Sequence, residues 1–169
     1  MSNHKCLRCG ELYKITTEDY HYLESGLDNL WLCDVEVYRC QCGESAAIPQ
    51  PIEIHRAIAK CLLMSQTPLL GKEIRFLRKH MAMKAMDFAK RLGVDKATIS
   101  RLENGKENPS APADRAIRLA YAAQMGYSQE AKQLFEEVFP EIGSDKPSFP
   151  MFIAADQLGR FSCNRECRR

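Results

Sequence analysis

The chain has 169 residues, 45% of them hydrophobic and 27% charged, with a formal net charge of +2. That composition is globular and long enough for one ordinary domain or two small ones, and no apolar run approaches the length of a membrane span. Net charge alone says nothing about nucleic acid, and the eight cysteines, in a chain whose first residues lack the apolar stretch of a secretion signal, favour metal ligation over disulfides and a cytoplasmic location.

Taken in order, Cys6-Leu7-Arg8-Cys9-Gly10 is a C-x-x-C-G knuckle, in which Gly10 lets the turn close with both sulfurs facing one ion. A second pair, Cys40-Gln41-Cys42-Gly43, follows about thirty residues later. Two such pairs supply the four thiolates of a tetrahedral structural Zn²⁺ site. The segments Leu12 to Thr17 and Trp31 to Cys40 read as strands, with Trp31, Cys33, Val35 and Val37 on the apolar face of the second. Ser25 to Asn29 reads as the hairpin turn between them. The expected unit, residues 1–48, is a zinc ribbon: knuckle, small antiparallel hairpin, knuckle. The second pair is C-x-C rather than C-x-x-C, so either the shorter bite is tolerated or Cys33, His4 or His21 substitutes. Cys33 falls on the apolar strand face and reads as core, and the two histidines read as surface residues.

Pro49-Gln50-Pro51 marks a boundary. Residues 49–69 read as a linker helix from Ile52 to Met64, with Ile54, Ile58, Cys61 and Leu62 on one stripe and Cys61 buried and inert. Ser65-Gln66-Thr67-Pro68 breaks it.

Residues 70–139 fit five helices. The first runs from about Gly71 to His80, with Leu70, Ile74 and Leu77 on the core side. The second is Lys84 to Leu92, with Phe88 and Leu92 inward and Ala89 small enough for close helix approach. Gly93 suits a left-handed helix end. Asp95 is a good N-cap for a short third helix, in which Val94, Ile99 and Leu102 are spaced to face one core. That leaves Lys96, Ala97, Thr98 and Arg101 outward. A short helix offering polar and small groups from its first turns suits the major groove, where base edges carry a sequence code. A fourth helix runs from about Pro112 to Gln124, with Ala113, Ala116, Ile117, Ala120 and Tyr121 on one stripe and Gly126 stopping it. A fifth starts behind a Ser128 cap, carries Ala131, Leu134, Phe135 and Val138, and ends at Pro140. From Leu70 to Lys106 there are ten basic residues against four acids, a local charge of +6 that leaves −4 for the remainder. A basic middle in a mildly acidic chain is the footprint of a phosphate-binding surface.

Residues 140–169 read as a separate tail. Phe149, Met151, Phe152 and Ile153 make an apolar cluster able to form a short strand, and Cys163 and Cys167 read as incidental thiols rather than a metal or redox pair.

The run Phe88-Ala89-Lys90-Arg91-Leu92-Gly93-Val94, then Thr98-Ile99-Ser100-Arg101-Leu102-Glu103-Asn104-Gly105-Lys106, then Asn108-Pro109-Ser110, resembles the XRE (phage Cro/C1 repressor) helix-turn-helix family over about residues 70–125. The resemblance implies a recognition helix in the major groove, with Asp95, Lys96, Ala97 and Arg101 at base-contacting positions and Thr98 and Lys106 at phosphate-contacting ones. The family usually opens its second helix with Ser or Thr followed by Gln, a phosphate clamp. Here Lys84-Ala85 stands instead, and Lys84 is expected to act as a looser point charge. Together with the zinc ribbon, the chain resembles the MqsA-type (YgiT-type) zinc-finger antitoxins. That resemblance implies a homodimer, repression of the protein's own operon from a palindromic operator in double-stranded DNA, and capture of a toxin protein by the zinc domain. The C-x-C pair departs from that pattern.

The expected fold class is therefore α+β and mainly α: an N-terminal zinc ribbon, a linker helix and a C-terminal five-helix XRE-type helix-turn-helix domain. The expected function is a sequence-specific DNA-binding transcriptional regulator, an autorepressing antitoxin of a type II toxin–antitoxin system. The alternatives are a zinc-ribbon protein-interaction module and a stand-alone XRE-type regulator with no toxin. No glycine-rich phosphate loop or nucleophile elbow speaks for an enzyme.

Overall fold

A computed structural model describes residues 5–43, 46–48, 50–140, 142, 150–156 and 160–164. The expectations that fall on His4, Pro49, Phe149 and Cys167 lie outside the described residues. The chain forms two compact units, one built from Met1–Tyr22, Asn29–Ile58 and Pro150–Arg169, the other from Leu23–Asp28 and Ala59–Phe149.

The first unit is a mixed sheet. Strands β1 (Lys14–His21) and β2 (Leu30–Arg39) make an antiparallel hairpin. The other edge of β2 is shared: β3 (Ala46–Ala47) pairs antiparallel with Tyr38 and Arg39, and β4 (Met151–Ala155) pairs in parallel with Leu30 to Cys33. Strand β5 (Phe161–Asn164) closes the order β1-β2-β4-β5. The expected small antiparallel sheet is thus larger, and it contains a parallel pair. The segment set apart as a tail supplies two of its strands. Leu30, Leu32, Met151 and Ile153 are in register and all buried, and that shared apolar face holds β4 in place.

The inward face of β2 differs from strict alternation. Cys33, Val35 and Val37 are buried as expected, but Trp31 is only half-buried and Leu30 and Leu32 lie inside. The cause is a bulge: Asp34 has φ 50°, and the hairpin register shifts between Glu18 and Tyr20. One extra residue reverses which side chains face the core. The displaced Trp31 stacks on His21 across the strand pair, ring centroids 4.6 Å apart and nearly parallel. Helix α1 (Pro51–Met64) follows, with Pro51 as its first residue, where the missing N–H costs nothing. Ile54, Ile58 and Leu62 are its buried stripe.

The second unit carries the remaining helices: α2 (Gly71–His80), α3 (Ala85–Leu92), α4 (Lys96–Glu103), α5 (Ala111–Met125) and α6 (Ser128–Gln133), the last running into a π-helical turn, Leu134–Val138. Its core joins Ile74, Leu77, Phe88, Ala89, Ile99, Leu102, Ile117 and Tyr121. Three apolar assignments fail on exposure, Leu70, Val94 and Ala116, and Leu92, Ala113, Ala120 and Ala131 are only half-buried. Ser110 caps α5, accepting from the Ala113 N–H, and Gly126 ends it in the left-handed region. The cap of α6 is Tyr127 rather than Ser128, and it makes no side-chain bond to the helix.

The buried face of α5 holds an ion pair that apolar periodicity does not show. Arg118 and Asp114 are both buried, and Arg118 Nε donates to Asp114 Oδ2 at 2.7 Å. Arg118 Nη1 donates to the carbonyls of Leu62, Leu63 and Ser65, and Nη2 to that of Thr67, all within 2.9 Å. Asp114 Oδ1 accepts from the Leu69 N–H at 2.7 Å. The C-terminal carbonyls of α1 and the loop after it are thereby satisfied from one side chain.

Cys33, Cys61 and Cys163 are disulfide-bonded. This corrects three expectations: the preference for metal over disulfides across all the cysteines, the reading of Cys163 as an incidental thiol, and the inertness of Cys61, which is half-buried rather than buried. No helix among the described residues is long and apolar enough to cross a membrane.

Gly71 sets how α2 meets the end of α4. A Cβ there would lie 2.3 Å from the Leu102 carbonyl oxygen and 3.0 Å from the Gly105 nitrogen, both backbone atoms. Gly71→Ala should therefore destabilise the protein by about 1–3 kcal/mol in urea unfolding, as overpacking does. The control Gly126→Ala meets no neighbour and is charged only for its left-handed backbone, by about 1 kcal/mol.

Candidate nucleic-acid interface and four-cysteine cluster

Helices α3 and α4 are joined by a three-residue turn, Gly93 to Asp95, with both ends fixed by hydrogen bonds. Gly93, at φ 70°, closes α3, and the Val94 N–H donates to the Ala89 carbonyl at 3.0 Å. Asp95 then caps α4, its Oδ1 accepting from the Thr98 N–H at 2.6 Å. That bond holds the Asp95 carboxyl below its usual range, and the Thr98 hydroxyl and the Arg101 charge pull the same way. Ile99 and Leu102 anchor α4 from beneath. The C-terminal end of α4 is braced by buried Glu103, which accepts from Arg78 Nε at 2.5 Å and Nη2 at 2.9 Å. Arg75 donates to Asn104 Oδ1 at 2.6 Å. Neither brace is visible as a local pattern, because the partners are twenty-five and twenty-nine residues apart.

A family profile described as a helix-turn-helix domain matches residues 69–128. Residues 69–128 are a helix-turn-helix domain. Such a domain implies DNA binding and a role in regulating transcription. No curated protein and no solved structure matches the chain.

Within this domain the residues expected to touch DNA sit as follows. Lys96 and Ala97 are exposed in the first turn of α4, with Asp95 exposed as its cap. Thr98 and Arg101 are half-buried one turn on, and Lys106 is exposed beyond the helix end. Lys84 is the N-cap residue of α3 and makes no side-chain bond to the helix, so the charge is available but the cap is not. The +6 window is less open than a count implies. Lys72, Arg75, Arg78 and Arg101 are ion-paired and Arg91 bonds Gln124. Lys79, Lys84, Lys90, Lys96 and Lys106 are exposed and have no ion-pair partner among the described residues. Lys84 and Lys96 stand at helix N-termini, where the backbone dipole also favours a phosphate.

The second candidate centre lies in the first unit. The sulfurs of Cys6, Cys9, Cys40 and Cys42 all lie within 4.8 Å of one another. Cys6 and Cys42 are 3.8 Å apart and Cys9 and Cys40 3.2 Å. A tetrahedral zinc with Zn–S bonds of about 2.3 Å needs sulfurs about 3.8 Å apart, so the cluster fits such an ion. Both knuckles turn on left-handed glycines, Gly10 at φ 78° and Gly43 at φ 99°, and the Arg8 N–H donates to Cys6 Sγ. The C-x-C pair thus delivers both its sulfurs. The substitutes are not needed: Cys33 is disulfide-bonded and His21 is stacked on Trp31. The thiols share protons unevenly. The Glu11 N–H favours the Cys9 thiolate, but the Cys40 sulfur, burial and the Cys6 and Cys42 sulfurs outweigh it and push Cys9 up to about 12. Backbone and neighbouring sulfur bonds, led by the Cys42 N–H, pull Cys40 down. Four sulfurs this close ionise together only around a cation. The cluster could hold a metal ion such as zinc, with no open position for a catalytic water.

Two measurements check these centres. Protein made with zinc supplied should carry about one zinc per chain by elemental analysis, and Cys42→Ser should lower that fraction and the melting temperature of the sheet unit. Asp95, whose folded pKa is depressed, contributes stability above the unfolded carboxylate range and loses it as pH falls through the folded value. Asp95→Asn keeps a good cap but should flatten that acid-side slope in urea melts between about pH 3 and pH 7.

Proposed function

We propose that the chain is a sequence-specific transcriptional repressor that reads a palindromic operator as a homodimer and represses its own operon. Its zinc-held sheet unit captures a protein partner, in the manner of the zinc-finger antitoxins it resembles. The observation that carries the DNA part is α4: a capped helix, braced at both ends, presenting Lys96, Ala97 and Arg101 beside unpaired lysines. Lysines at helix starts neutralise phosphates and release counterions. Lys96 and Arg101 donate to base acceptors, arginine to guanine being the commonest pairing, and Ala97 offers a methyl contact. Two copies place their recognition helices about one helical turn apart. The four-cysteine centre is structural: Cys6, Cys9, Cys40 and Cys42 would hold the ion, whose binding would add folding free energy to the sheet unit.

Footprinting on the promoter of its own operon tests the reading, with protection of a two-fold symmetric site as the expected result. Arg101→Ala should cost about 1–3 kcal/mol and relax preference at one position, whereas Lys106→Ala should weaken all sequences alike and reduce the salt slope by about 1. Toxin capture is tested by co-purification with the product of an adjacent reading frame.

A further inference from the structure

The surface of α4 holds a chain of polar contacts that neither the sequence reading nor the domain match assigns. The Thr98 N–H donates to the capping carboxylate of Asp95 at 2.6 Å, and Thr98 Oγ1 accepts from Arg101 Nη2 at 3.0 Å. On its other side, Arg101 Nε lies 2.7 Å from Glu107 Oε1. The Nε–H is not aligned for a hydrogen bond, so this contact is an ion pair by proximity. Glu107 lies outside α4, in the loop before Ser110. The guanidinium is therefore flanked from two directions, by the helix it grows from and by the loop that follows.

We infer that Glu107, with Thr98, is a positioning residue that sets the orientation of Arg101 for base recognition. This rests on the DNA-reading role proposed above and deepens it. Both side chains of the pair are more than two-fifths exposed, and an ion pair that open contributes little to stability. Its effect is on geometry. An arginine side chain loses substantial rotamer freedom on binding, and a donor fork held before DNA arrives loses less. With Glu107 beside Nε and one Nη2 hydrogen given to Thr98, the Nη1–Nη2 edge is left without a further partner among the described residues. That edge is the fork that pairs bidentately with the O6 and N7 acceptors of guanine. Glu107 also adds a negative charge beside the phosphates, so it opposes non-specific binding while favouring one orientation of Arg101. Thr98, matched by resemblance to a phosphate-contacting position, has its hydroxyl engaged inside this chain of contacts.

The test uses full-length protein loaded with zinc and a randomised double-stranded DNA pool, sequenced before and after selection. Wild type, Arg101→Ala, Glu107→Ala, Glu107→Gln and the double variant R101A/E107A are compared, with stability checked by urea unfolding. At the position whose preference Arg101→Ala abolishes, Glu107→Ala should lower the preference roughly tenfold, and Glu107→Gln, which keeps an acceptor at the same reach, by less. The double variant should lose no more at that position than Arg101→Ala alone, since the two residues act through one contact. A merely electrostatic role would instead shift every sequence alike and leave the preference at that position intact, which would overturn the inference. Failure of wild type to select any sequence would overturn the DNA-reading role itself, a result separable from the first.

Discussion

The helix-turn-helix unit hangs on the buried pair Arg118 and Asp114. A charged pair in the interior costs several kcal/mol per ion to desolvate, by order of magnitude, and is tolerated only when its remaining hydrogen-bond capacity is filled. Here it is filled by backbone. Arg118 gathers the carbonyls of Leu62, Leu63, Ser65 and Thr67, while Asp114 takes the Leu69 N–H. These groups belong to the end of α1 and the loop that delivers the chain to α2. The loop fixes where α2 begins, and Gly71 at that start lies against the last turn of α4. A buried charge on α5 is thus linked, through two short steps, to the end of α4.

The surface of the same unit is organised by pairing as much as by excess charge. Glu103 joins α4 to α2 through Arg78, and Glu107 reaches Arg101 from the loop. Of ten basic residues in the central window, half are engaged within the protein. The engaged set is Lys72, Arg75, Arg78, Arg91 and Arg101, and the solvent-facing set is Lys79, Lys84, Lys90, Lys96 and Lys106.

The helical unit was legible in the sequence because its signals are local. Gly93 and Gly126 mark helix ends through their backbone freedom and Asp95 marks a start through its side chain, so the end of α3, the start of α4 and the end of α5 follow from them. The knuckle pairs Cys6–Cys9 and Cys40–Cys42 were legible for the same reason. What stayed hidden depends on distant partners. The parallel pairing of β4 with β2 joins residues about 120 positions apart, and Met151 and Ile153 carry no sign of which strand they will meet. The bulge at Asp34 inverted the expected face of Trp31, since alternation is read on the assumption that no residue is added. Asp114 and Arg118 sit among alanines on a helix that reads as apolar, so the burial of the charges could not be inferred from the stripe beside them. Val94 failed in the opposite sense, because it belongs to a turn where helical spacing does not apply.

One consequence follows from the strand order. The edge of β2 on which β4 lies is filled by residues made more than a hundred positions later, so the helical unit is in effect an insertion within the sheet unit. During synthesis the inserted part can fold as it leaves the ribosome, using contacts that are already present. The sheet must wait with one flank of β2 bare until the last strands arrive. A nascent or proteolytically shortened chain therefore keeps its helix-turn-helix unit while losing the neighbour that covers Leu30 and Leu32, and it leaves an adhesive strand edge exposed. The order of translation makes the helical unit the early product and the sheet unit the late, vulnerable one.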